Sequence, residues 1–218
     1  MAADFVDLAQ MCAPDIAVET LAATVSLESG FYPFAIRINS GSPLGEQPRT
    51  RAEAIEAATV LVAARQDIQL GLGAIGSSEL ARLGLTLADA FDPCLNLKAT
   101  ATLLTGYYRQ AIRAGTGSQE AGRVMLQSFF GRGDASIGAM VRYDEQVRRE
   151  AERLSSKLTS LALAAPPGEG SEAPRSAPPL ENVGVLPEAT DEPPWNVFAS
   201  GRSASVLVFR NDEEEPSP

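Results

Sequence analysis

No histidine occurs among the 218 residues. That removes a Ser-His-Asp or Cys-His catalytic centre, a His-ligated zinc and a histidine general base. Any acid–base chemistry must come from carboxylates, Lys, Tyr or Cys. Metal and cofactor are both expected to be absent. Cysteine is nearly absent as well, with Cys12 and Cys94 the only thiols, and there is a single tryptophan, Trp195. No apolar run approaches the ~18 residues that a bilayer span needs, so no membrane span is expected. The opening residues, Met1 to Asp7, lack a basic stretch and a long apolar stretch, so no signal peptide is expected there. Positive charge is in deficit, with 18 basic against 28 acidic residues and a net charge of -10, which argues against nucleic acid as a partner.

What is present is unevenly distributed. Residues 164–218 hold ten of the fifteen prolines and ten acidic against three basic residues. Composition changes at Ala165-Pro166-Pro167-Gly168, and no apolar periodicity follows until Trp195. Such a segment cannot bury enough surface to offset its ordering entropy, so it reads as a disordered acidic Pro-rich tail. Within it, Trp195 to Phe198 and Ser205 to Phe209 form an apolar island (195–209). It reads equally as a docking motif for a partner or as a strand packed back on the domain.

Residues 1–163 read as one mainly α domain. Phe5, Leu8 and Cys12 share a face of a short first helix. Asp15 is expected to cap a second, which ends at Gly30. Residues 31–49, with Pro33, Pro43 and Pro48, read as loop. Thr50 and Glu53 have capping-box spacing and open a helix to about Arg65. Asp67 to Gly76 is glycine-rich and extended or turn-like, and Ser77 or Ser78 can cap a brief helix through Leu83. Thr86 and Asp89 cap another short one. Asp92-Pro93 is a strong helix start, followed by the stripe Cys94, Leu97, Ala101, Leu104 and Tyr108. Ser118 opens a helix to about Phe130, and a long last helix is expected from about Ile137 to Leu163.

Gly71-Leu72-Gly73-Ala74-Ile75-Gly76 matches G-x-G-x-x-G. No β-α-β alternation surrounds it, so a glycine turn in which backbone closely approaches a neighbour is favoured over a dinucleotide site. Arg132-Gly133-Asp134 is a chance-level match to an adhesion motif. The two cysteines read either as a disulfide across 82 positions or as buried free thiols. Glu28 ends an apolar helix beside Phe31 and Tyr32. A carboxyl leaving an apolar face has its pKa raised, as a general acid requires, although, taken alone, a solvated glutamate in a last helical turn is the favoured reading.

Several motifs then occur in one order: Cys12-Ala-Pro14, Thr20-Leu-Ala-Ala23, Glu28-Ser-Gly-Phe31-Tyr-Pro-Phe-Ala-Ile36, Gln47-Pro48, Glu53-Ala-Ile55, Gly71-Leu-Gly73, Leu83-Gly84 and Ala90 to Leu97, with Tyr143 and Val147 after them. Over roughly residues 5–150 this resembles the specialised lytic transglycosylases of type IV secretion and conjugation systems. The tail island resembles the end of some members. The resemblance implies a lysozyme-like (SLT-type) helical fold and a peptidoglycan substrate. Glu28 falls on the family's catalytic acid. It would protonate the oxygen bridging N-acetylmuramic acid to N-acetylglucosamine and then draw the proton from the sugar's own 6-hydroxyl, giving a 1,6-anhydro product. Ser29, Gly73, Ile75, Phe129 and Tyr143 would line the groove. The family also tends to carry cysteines where Cys12 and Cys94 stand, which implies their pairing, a periplasmic location and apparatus proteins as partners of the tail. The chain departs from the pattern at Ala74 and Gly76, where the family has Gln and Asn, and at Phe129 and Phe130, at or near its Tyr-Asn pair. Polar groups that would hold sugar are thus replaced. A catalytically weak or inactive glycan-binding module of the same fold is the competing expectation, and a cytosolic helical adaptor with an acidic tail is a third.

Overall fold

A computed structural model describes residues 4–164. The tail beyond 164, with its island at 195–209, lies outside the described residues. Helices dominate, as expected. They are α1 (Phe5–Cys12), α2 (Val18–Ser29), α3 (Arg51–Ala63), α4 (Ser77–Arg82), α5 (Pro93–Arg113), α6 (Ser118–Phe130), α7 (Ala135–Met140) and α8 (Tyr143–Ser155). Single 3-10 turns occupy Asp89–Phe91 and Leu158–Ser160. A small antiparallel sheet of β1 (Ile36–Ile38), β2 (Ile68–Leu70) and β3 (Ile75–Gly76) lies between α2 and α4 in the chain and pairs in the order β1-β2-β3.

The helix ends follow local chemistry. Asp92 accepts from Leu95 N at 3.0 Å, and Pro93 occupies the first turn of α5, where its missing N–H costs nothing. Thr50 accepts from Glu53 N at 3.2 Å, while the Glu53 carboxylate reaches back to Arg49 N at 2.7 Å. Thr86 and Asp89 exchange bonds in the same manner before their 3-10 turn. Gly30 closes α2 in the left-handed conformation at φ 60°.

Four expectations are corrected. Asp15 does not cap α2, which begins at Val18 after Ala17 with no side-chain cap. Gly76, not a serine, is the N-cap of α4. The expected last helix is broken. α7 presses Gly138 so closely on α6 that a Cβ there would lie 2.2 Å from the Gln127 carbonyl oxygen. The chain then turns through Arg142 at φ 51° before α8 starts afresh. β1 likewise occupies part of the stretch read as loop.

α2 is the central helix. Leu21, Ala22, Ala23, Thr24 and Val25 are all fully buried, so its middle is enclosed on every side. One apolar cluster joins the sheet to α3, α5, α6 and α8 through Ile36, Ile68, Leu70, Phe91, Leu104 and Val147. The other joins α1, α2 and α5 through Phe5, Leu21, Val25, Leu72 and Leu97. Phe5 and Phe31 meet edge to face there at 5.1 Å. The residues after α8 return to the start of the chain, where Phe5 N donates to Leu161 O and Ala164 N to Phe31 O, both at 2.9 Å. Cys12, at the end of α1, and Cys94, in the first turn of α5, form a disulfide, with Cα atoms 5.3 Å apart. Bridging an 82-residue separation stabilises by about 4–5 kcal/mol in the loop-entropy picture.

Candidate active site

Glu28 occupies the last turn of the buried helix α2, and its side chain is only 5% exposed. Two groups reach it. Tyr143, in the first turn of α8, donates its phenol hydrogen to Glu28 Oε1 at 2.5 Å. Arg37, on β1, places Nη1 3.0 Å from Glu28 Oε2, and its Nη2 donates to the Glu28 carbonyl at 2.6 Å. Burial raises the Glu28 pKa above the ordinary carboxylate value, and the Tyr143 bond and the Arg37 charge offset part of that rise. The negative end of α2 acts in the same direction as burial. The Tyr143 phenol is itself held well above its usual range by burial and by the adjoining Glu28 carboxylate, so it stays a hydrogen-bond donor.

Two cavities meet at this carboxyl. One, of about 350 Å³, is lined by Glu28, Arg37, Gln69, Ala74, Ile75, Glu79, Phe129, Phe130 and Arg132, among others. The other, of about 360 Å³, runs along Ser29, Tyr32, Pro43, Gln47 and Gly71 and shares Glu28, Arg37, Gln69 and Ala74 with the first. Together they form a groove that passes Glu28. The sheet supplies one wall. In the β1–β2 register Arg37 opposes Gln69, while Ile36, Ile68 and Leu70 are buried in the core. Asn39 and Asp67, one step further along, join through Asn39 N and the Asp67 carbonyl at 2.9 Å and also line the first cavity.

Of the residues expected at the site, Ile75 and Phe129 line the first cavity and Ser29 the second. The Ser29 hydroxyl donates to the Val25 carbonyl at 3.1 Å. Tyr143 is buried behind the groove and meets it through Glu28. Gly73 lies outside both linings, packed on α5. A Cβ at Gly73 would sit 2.0 Å from Thr100 Oγ1, and one at Gly71, where φ is +73°, would sit 2.2 Å from the Ala90 carbonyl oxygen. The glycine motif is therefore a hairpin turn pressed against α5. Asn96 ties it down, accepting from Gly73 N at 2.8 Å and donating to the carbonyls of Leu70 at 3.0 Å and Ala90 at 2.8 Å.

No family profile matches the chain, and no solved structure matches it. Curated relatives do. The type IV secretion system protein virB1 of Brucella suis biovar 1 (strain 1330) is 44% identical over 108 residues, 50% of this chain and 45% of that protein. The protein virB1 of Agrobacterium fabrum (strain C58 / ATCC 33970) is 33% identical over 162 residues, 72% of this chain and 63% of that protein. The chain is similar to the VirB1 proteins over these stretches. A VirB1 protein of Rhizobium radiobacter gives 37% identity over 107 residues, 49% of this chain and 44% of that one. The chain thus spans about half the length of most of the curated relatives it matches.

Four further groups line the groove, Arg37, Asp67, Glu79 and Arg132, and none was expected there. Arg37 follows the quoted motif by one residue. Glu79 is buried in α4, accepts from Gly76 N at 3.0 Å and lies 3.6 Å from Arg82. Arg132 donates to both Asp67 oxygens at 2.8 and 2.7 Å, and its Nε is 3.9 Å from Glu79. These bonds hold the Asp67 pKa below the ordinary carboxylate value. The guanidinium occupies space beside Gly76, where a Cβ would lie 3.3 Å from it. Only the alternation of exposed Arg37 with buried Ile36 and partly buried Ile38 could have marked one of the four, as an outward residue of a half-buried strand. Among the described residues no cluster of His, Cys, Asp or Glu could hold a metal ion, and no helix is long and apolar enough to cross a membrane.

Proposed function

We propose that residues 1–163 form a peptidoglycan lytic transglycosylase domain in which Glu28 is the catalytic acid. One observation carries this reading: a buried carboxyl with a raised pKa, aimed by a phenol and facing a continuous groove. Protonated Glu28 gives its proton to the oxygen bridging N-acetylmuramic acid and N-acetylglucosamine, and the C1–O bond breaks. The resulting carboxylate takes the proton of the 6-hydroxyl as O6 bonds to C1. Ionised Tyr143 is not required at any stage. Its hydrogen bond keeps the carboxyl aimed and steadies it when charged. Ile75 and Phe129 offer apolar surface to the sugar rings, and Ser29 borders the far side of Glu28.

The VirB1 likeness supports local opening of the cell wall for a type IV secretion or conjugation apparatus as the setting. The disulfide supports an oxidising compartment, hence the periplasm. Apparatus proteins are the proposed partners of the 164–218 tail. Limited proteolysis of the full chain tests the boundary, and a resistant core ending far short of Leu158 would count against it.

Mass spectrometry of products from purified sacculi tests the reaction. The reading expects 1,6-anhydro-muropeptides. Reducing ends would instead mean hydrolysis, with a second carboxylate such as Asp67 or Glu79 in use. A second reading, a glycan-binding module without turnover, is favoured by Ala74 and Gly76, which offer no side-chain donor to the groove. It expects bound sacculi and no soluble product.

A further inference from the structure

Two guanidiniums line the 350 Å³ cavity, and they differ in how firmly they are held. Arg132 faces two acids, Asp67 and Glu79, and its bonds to Asp67 hold that carboxyl below the ordinary pKa range. Arg37 pairs with Glu28 alone, and burial opposes ionisation of that partner. Glu28 can therefore be neutralised by one proton, which would leave Arg37 without a counter-charge. The Arg37 side chain is 42% exposed and lines both cavities, so a ligand lying along the groove must pass it. Its remaining side-chain contact is a long one, 3.5 Å to Gln69 Oε1. A guanidinium fork of this kind matches a carboxylate in two parallel hydrogen bonds.

We propose that Arg37 is a latch on Glu28 that an anionic glycan opens. A carboxylate carried by a sugar in the groove, such as the lactyl group of a muramic acid that bears no stem peptide, takes over the Arg37 guanidinium, and Glu28, released, takes a proton from solvent. This rests on the reading of Glu28 as the catalytic acid, and it adds that the ligand itself switches the acid on. The groups facing Glu28 are Arg37 from β1 and Tyr143 from α8. Across the cavity stand Asp67, Glu79 and Arg132, tied to one another. Because Tyr143 remains a neutral donor, Arg37 is the cation whose departure favours the protonated carboxyl. Binding of the anion is then linked to proton uptake and tightens as pH falls. Arg37 is a positioning residue in this scheme.

The test is a carbon-13 titration of the Glu28 carboxyl in the full chain, its resonance being the one missing from the E28Q spectrum. Arg37→Gln should move the midpoint up, and Arg37→Lys, which restores the charge, should bring it back toward the parent. N-acetylmuramic acid should raise the parent midpoint at matched ionic strength, neutral N-acetylglucosamine should not, and R37Q should ignore both. A midpoint unchanged by R37Q, or moved equally by the two sugars or by neither, overturns the latch. Sacculi left undigested with the titration as expected would defeat the catalytic reading and leave the latch standing. Anhydro products from a chain whose Glu28 midpoint ignores the acidic sugar would do the reverse.

Discussion

Tyr143 and Glu28, 115 residues apart in sequence, meet in a 2.5 Å hydrogen bond inside the protein. The break between α7 and α8 makes the meeting possible. Arg142 turns the chain through a left-handed conformation, and Tyr143 becomes the first residue of a new helix pointing at the end of α2. Phe130 backs the phenol ring at 4.9 Å, so the aim of Glu28 depends on α6 and α8 together.

Tyr143→Phe should therefore cost activity without unfolding the protein. Loss of an aiming hydrogen bond should lower kcat about tenfold, a part of the ~10²–10⁴-fold that a positioned general acid supplies. The bond now offsets part of the burial-driven rise in the Glu28 pKa, so its removal should move the alkaline limb of the pH–rate profile upward. A profile shifted downward, or unchanged with full activity, would remove Tyr143 from the mechanism.

Glu28 should also weaken the fold at neutral pH. Its pKa is raised in the folded state, chiefly by burial. The folded chain thus binds this proton more tightly than the unfolded chain. The stability it contributes is fully present below the unfolded value, about 4.3, and is lost as pH rises through the folded value. Glu28→Gln should melt higher than the parent at about pH 8, with the gap closing at about pH 3, below the unfolded value. Thermal denaturation at the two pH values decides it, and a parent that melts higher at pH 8 would contradict it.

Replacing both Cys12 and Cys94 by serine should lower the melting temperature by about 10 °C or more. That follows from about 4–5 kcal/mol of loop entropy and a shift of about 2–4 °C per kcal/mol for a domain of this size. Calorimetry with and without reductant checks it. The parent should fall to the melting point of the double variant when reduced, and the variant should not respond.

Gly73→Ala should destabilise severely, because the new Cβ would meet Thr100 Oγ1. Thr100→Ala removes that oxygen and should recover part of the loss in the double variant. The coupling between these neighbours should reach about 1–3 kcal/mol in denaturant titrations. Additive effects would mean that the hairpin does not press on α5 as described.

Much of this arrangement is legible in the sequence because it is local. Thr50 with Glu53, Thr86 with Asp89 and Asp92 with Pro93 mark their helix starts by chemistry contained within a few residues. The glycine turn is legible as a close backbone approach, although Gly73 touches α5 and not the groove. The α7–α8 break leaves no mark, since no proline or turn dipeptide surrounds Arg142. Asp15 has the chemistry of a cap, but α2 begins only at Val18, after Ala17. Glu28 is legible from its position between an apolar helix and aromatics, and Tyr143 from the resemblance, but the ion-pair partner Arg37 is not. Arg37, Glu79 and Arg132 come together only when β1, α4 and the α6–α7 turn are folded against one another.

The central claim is that Glu28 performs the chemistry, and release of soluble muropeptides from sacculi by the full chain and by its Glu28→Gln variant measures that most directly. The account predicts release by the parent and a loss of about 10²–10⁴-fold in the variant, the range associated with a positioned general acid. Equal release by both proteins would contradict it.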